Sequence, residues 1–127
     1  MRARDTGQTE ITIKPVGVAS ATDDSEIMVI EICEQFADAL LGLEDQAHIL
    51  VLYWMHALDA DLRCRLRGHP CGDSGRPLRG VFALRSPMRP NPIGVTRVEV
   101  MGVEGTTITV RGLDALDGSP IIDMKSG

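Results

Sequence analysis

Apolar and polar residues alternate with a period of two at 93–100 and 106–110 and weakly at 11–18, and short apolar runs lie between, a pattern that predicts strands. Residues 11–18 alternate weakly around Pro15 and read as an edge strand, because proline cannot donate to a sheet ladder. After a polar loop at 22–25, residues 27–33 are apolar and rich in isoleucine and valine, a second strand. Residues 34–41 lead to Gly42 and read as a short helix with a glycine C-cap. Residues 47–55 are almost continuously apolar, as expected of a strand buried on both faces. Residues 80–84 read as a short strand. Residues 93–100 and 106–110 alternate and are joined through Gly102-Val103-Glu104-Gly105, a hairpin signature. Asp117-Gly118 marks a turn before a final short strand at 120–124. The expected fold is mainly β: a small closed or nearly closed β-barrel with one short helix, since closure protects strand edges.

One stretch breaks the alternation. Residues 59–80 hold five arginines, four glycines and two prolines, and predict a long surface loop. Residues 1–9 are polar and read as a flexible tail, leaving residues 10–127 as a single domain. The chain has 127 residues, long enough for one core without staples. No apolar stretch resembles a signal peptide, and the longest apolar run, 49–55, is too short to span a bilayer. With no secretion signal and three cysteines, which cannot all pair within one chain, the expectation is a cytoplasmic protein with reduced thiols and no membrane partner.

The net charge of −5 argues at first against a nucleic-acid partner. Its distribution changes that. Between Asp5 and Asp61 there are 12 acidic residues and one basic residue, whereas between Arg63 and Arg111 nine arginines face three acids. Such asymmetry leaves room for a polyanion on the arginine-rich part, or for two faces that pair with each other on folding.

Two segments stand out chemically. In Arg85-Ser86-Pro87-Met88-Arg89-Pro90-Asn91-Pro92-Ile93-Gly94, three prolines fix the backbone and display two arginines and an asparagine. A stiff loop with guanidinium donors suits an anionic or carboxylate-bearing ligand, and equally suits a barrel corner with incidental arginines. The second segment, residues 112–125, carries Asp114 and Asp117, each able to cap a turn. Asp123 and Lys125 lie two apart on a strand and share a face, as a base with its orienting partner or as an ordinary ion pair. Cys64, His69 and Cys71 lack metal-ligand spacing, and no metal site is expected.

Together these segments resemble the TsaA-like family. The carriers are Gly80-Val81-Phe82-Ala83-Leu84-Arg85-Ser86-Pro87-x-Arg89-Pro90-Asn91-Pro92-Ile93-Gly94, then Gly112-Leu113-Asp114-Ala115-Leu116-Asp117-Gly118-Ser119-Pro120 and Asp123-x-Lys125. Pro15-Val16-Gly17-Val18, Gly42-Leu43-Glu44-Asp45 and the run from Ala47 to His56 follow the family order. The resemblance covers residues 14–125.

The resemblance implies a dimeric small barrel that uses S-adenosylmethionine to methylate N6 of threonylcarbamoyl-adenosine beside the tRNA anticodon. It places the cofactor contacts on His56, Arg85, Val95, Gly112, Leu113 and Asp114. Asp117, Asp123 and Lys125 are then the candidates to accept the N6 proton, with catalysis resting mainly on positioning and desolvation. Arg76, Arg79, Arg89 and Asn91 are the expected substrate contacts, within an arginine-rich segment at 63–89 that would meet tRNA phosphates. Two features depart from the family. Ala19-Ser20-Ala21-Thr22 stands where Arg-Ser-Pro is usual, and Lys125-Ser126-Gly127 where Lys-Pro-Tyr is usual. They keep open a methyltransferase acting on a smaller acceptor, and a cofactor-binding module without chemistry.

Overall fold

The structure is a computed structural model and describes residues 10–56 and 66–127. The expected tail 1–9, and residues 57–65 with Cys64, lie outside the described residues. Eight strands occur among those described: β1 (Gly17–Ala21), β2 (Ile27–Ile32), β3 (His48–Trp54), β4 (Arg67–Gly68), β5 (Arg79–Gly80), β6 (Ile93–Glu104), β7 (Thr107–Arg111) and β8 (Ser119–Ser126). Six of them close an antiparallel barrel in the order β1-β2-β7-β6-β3-β8. The seam is the β1–β8 pair, where Gly17 faces Ile121 and Ala19 faces Ser119. β4 and β5 form a separate two-stranded ribbon.

Alternate residues of each strand fill the interior, as a barrel of this size requires. Ile30, Ile49, Val51, Val98, Ile108, Val110 and Ile121 are fully buried there. Only one face of β3 is enclosed. Ile49, Val51 and Tyr53 are buried, while Leu50, Leu52 and Trp54 are half-buried. The expectation of two buried faces is therefore corrected: the outer residues of this run lie on the outside of the barrel.

Other boundaries shift for physical reasons. The first strand begins at Gly17, two residues beyond Pro15, and extends to Ala21 because β2 pairs with it along its whole length, while β8 pairs as far as Ala19. Residues 34–40 form a 3-10 helix, and Gly42 follows in the left-handed region. Residues 81–83 form a 3-10 turn instead of a strand, since the ladder with β4 ends at Gly80. β6 continues through Gly102 to Glu104 with a bulge after Val100, so the hairpin turn is Gly105-Thr106.

The hairpin tip carries a pH-sensitive contact. The Glu31 carboxylate accepts hydrogen bonds from Thr106 Oγ1 (2.6 Å) and Thr107 Oγ1 (2.5 Å). Those two bonds favour the ionised form and hold its pKa below the ordinary value of 4.5. A lowered folded-state pKa stabilises above the unfolded value and is lost as pH falls through the folded value. Glu31→Gln should thus be less stable than wild type near neutral pH, with the gap closing in acid. Urea midpoints on both sides of the carboxylate range check this, and a gap that stays constant would contradict it.

Candidate functional site

A cavity of about 650 Å³ opens where β3 ends and β6 begins. Four parts of the chain build it. β3 and its extension supply Tyr53 and Met55, β6 supplies residues 93–97, and the segment after β7 supplies Asp114, Ala115, Leu116 and Ser119. The proline-rich loop adds Arg85, Pro87 and Arg89.

The loop is held by its own arginine. The Arg89 guanidinium donates to the backbone carbonyls of Leu84 (3.1 Å), Ser86 (3.2 Å) and Val81. A planar guanidinium can reach three acceptors at once, which an ammonium on a flexible stem cannot. Arg89 thereby fixes the 81–89 turn, and its fork is committed to backbone. Arg85, four residues earlier, is exposed at the cavity and makes no hydrogen bond or ion pair among the described residues.

The segment between β7 and β8 is irregular but anchored at several points. Gly112 turns it off the barrel with φ of 91°, a left-handed conformation that glycine adopts without steric cost. The Gly112 N–H donates to Glu26 O (2.9 Å), and Leu113 is buried in the core. Downstream, Asp117 Oδ1 accepts the Ala21 N–H (2.9 Å), and the Gly118 N–H donates to Ala19 O (2.7 Å). Ser119 donates through both N–H and Oγ to Leu116 O. Between these anchors, Asp114 and Leu116 are exposed at the cavity.

Tyr53 ties β3 to this segment. Its hydroxyl donates to the Asp114 backbone carbonyl and lies 3.0 Å from Thr96 Oγ1. Its ring fits because Gly94 has no side chain: a Cβ there would lie 2.5 Å from Tyr53 Cε2 and Cζ. Burial, and secondarily the nearby Asp114 charge, push the Tyr53 phenol above its usual pKa of 10.0, against the opposing hydrogen bond from Thr96.

Of the residues expected to hold a cofactor, Arg85, Val95 and Asp114 come together on the cavity wall. Gly112 and Leu113 set the path of the segment that carries Asp114. His56 lies beside that segment, with Nε2 4.0 Å from where a Gly118 Cβ would stand. The proton-acceptor candidates are placed elsewhere. Asp117 caps the Ala21 N–H at the barrel seam. Asp123 and Lys125 pair at 3.1 Å and border a second, smaller cleft beneath the 3-10 helix. Among the substrate candidates, Arg89 touches the cavity, Arg76 pairs with Asp73 at 3.7 Å, Arg79 lies in β5, and Asn91 is exposed. Tyr53, Met55, Thr96, Arg97 and Ser119 were not expected to line a site. Tyr53, Met55, Thr96 and Ser119 are apolar or short polar and look like packing, Arg97 looks like an ordinary exposed strand arginine, and only the glycine opposite Tyr53 hints otherwise.

A closed barrel with a cavity of nucleoside size, walled largely by apolar side chains and bordered by Arg85 and Asp114, defines a small-barrel domain with a candidate ligand site. The chain belongs to the tRNA-methyltransferase O N-terminal domain family, whose profile matches residues 12–126. That family is methyltransferase-like. The chain is 42% identical over 125 residues to an S-adenosyl-L-methionine-binding protein of Archaeoglobus fulgidus, covering 89% of this chain and 86% of the relative. It is 44% identical to a probable S-adenosyl-L-methionine-binding protein of Methanothermobacter thermautotrophicus, covering 91% and 89%. The crystal structure of TrmO from Pseudomonas aeruginosa superposes with a TM-score of 0.70 at 26% identity, over 94% of this chain. This chain spans 56% of that TrmO chain. Among the described residues no helix is long and apolar enough to cross a membrane.

Proposed function

We propose that this chain binds S-adenosylmethionine in the cavity between Arg85 and Asp114 and is a methyltransferase acting on N6 of threonylcarbamoyl-adenosine in tRNA. The observation that carries the reading is the convergence of Arg85, Val95 and Asp114, drawn from a loop, a strand and an irregular segment, on one cavity wall. The residues suit the ligand. Arg85 can face a carboxylate and Asp114 an ammonium, the two ends of an amino acid. Val95, Leu116 and Met55 offer apolar surface for a nucleoside and alkyl chain. Bound there, the cofactor supplies an activated methyl group. The chain's own contribution is to orient it, exclude water and accept the proton that leaves N6. Asp117, Asp123 and Lys125 do not line the cavity; Asp117, on the segment that also carries Asp114, is the nearest of them to it in sequence.

The proposed partners are a second copy of the chain and tRNA, in a cytoplasmic setting. Phe82, Leu66 and Leu78 are 89%, 63% and 51% exposed on or beside the β4–β5 ribbon, among Arg67, Arg76 and Arg79. Neutralising both Arg76 and Arg79 should weaken tRNA binding and make the slope of log affinity against log salt shallower by about 2. An unchanged slope would remove these arginines from the interface. A second reading, cofactor binding without chemistry, is favoured by the names of the archaeal relatives, which state binding alone. Calorimetry with S-adenosylmethionine tests the shared part, and absence of binding would defeat both readings. Labelled-methyl transfer to total tRNA, beside a small-molecule extract, then separates them. Label in tRNA supports the first reading, label only in the extract points to a smaller acceptor, and no label supports the binding module.

A further inference from the structure

Asp114 lies on an irregular stretch whose other anchors sit to either side of it. Its backbone carbonyl is held from the barrel by the Tyr53 hydroxyl, which is also 3.0 Å from Thr96 Oγ1. The tyrosine itself has little freedom. It is 4% exposed, and its ring occupies the space that a side chain at Gly94 would need. A rigid aromatic post on a barrel strand therefore reaches the loop at the residue whose carboxylate borders the cavity. We infer that Tyr53 is a positioning residue, which sets the place of the Asp114 carboxylate and so the site's grip on the cationic amino-acid end of its ligand. The inference rests on the cofactor reading above and adds a residue that acts through another.

The roles of post and packing can be separated, because Tyr53→Phe keeps the ring and removes only the oxygen. The ligands are S-adenosylmethionine, S-adenosylhomocysteine and methylthioadenosine, the last of which lacks the amino-acid end. Calorimetry should show affinity for the first two falling about tenfold in the variant, with methylthioadenosine unchanged. In an Asp114→Asn background the same substitution should cost little more, since both changes remove one contact. An equal loss for all three ligands would make Tyr53 a packing residue, and no loss for any would remove it from the site. Failure of wild type to bind S-adenosylmethionine would instead defeat the cofactor reading.

Discussion

Gly94→Val should lower the thermal unfolding midpoint by roughly 10 °C, a loss of about 3 kcal/mol. The position lies opposite Tyr53 in the β3–β6 ladder. A Cβ would stand 2.5 Å from two ring carbons and 2.9 Å from the hydroxyl oxygen, with two further methyl groups to place. Tyr53 packs in the buried core with Ile121 and Val51, so displacing the ring gives up those contacts. Either the ring leaves the core or the two strands separate, and each route gives up native packing. Ligand affinity should fall as well, because the hydroxyl would leave Asp114. Differential scanning calorimetry reads the first effect, and a midpoint within about 2 °C of wild type would mean that the ring swings aside freely.

Arg89→Ala should reduce affinity for the cofactor roughly thirtyfold, about 2 kcal/mol, while barely moving the barrel's unfolding midpoint. Its guanidinium holds the carbonyls of Val81, Leu84 and Ser86, all on the loop that carries Arg85. Without it those carbonyls turn to water and the loop samples many arrangements, so Arg85 must be ordered at the moment of binding. Arg89→Lys should recover little, since one ammonium cannot reproduce the fork. Calorimetry measures the affinity, and limited proteolysis should find the 81–89 turn newly cleavable. Unchanged affinity with a cleavable loop would show that Arg85 does not depend on the loop's order.

The two predictions also mark where sequence reasoning reached its limit. The β6–β7 hairpin was legible because its apolar residues repeat with the strand period, and β2 and β3 because they are short apolar runs rich in β-branched residues. β1 was harder to delimit: Gly-Val-Ala-Ser-Ala has weak strand propensity and pairs because its two neighbours close around it. Gly102 looked like part of a turn and is instead beside a bulge, since a glycine inside a strand and a glycine ending one read alike. In the site, Arg85, Val95 and Asp114 stood out through motif resemblance. Arg89 stood out too, yet a motif cannot tell an arginine aimed at a ligand from one aimed at its own backbone. Tyr53 was hidden because a tyrosine in an apolar strand looks like packing until its hydroxyl is traced across the barrel to Asp114.

The β1–β8 seam has a kinetic consequence. It joins the first and last barrel strands, so its loop-closure entropy must be met across nearly the whole chain. Such pairings form late, after local hairpins such as β6–β7 are in place. The bonds from Asp117 and Gly118 to Ala21 and Ala19 lie on that same seam. The cavity segment is therefore anchored in part by the same region that shuts the barrel, so loosening the seam would release Asp117 and Gly118 as well.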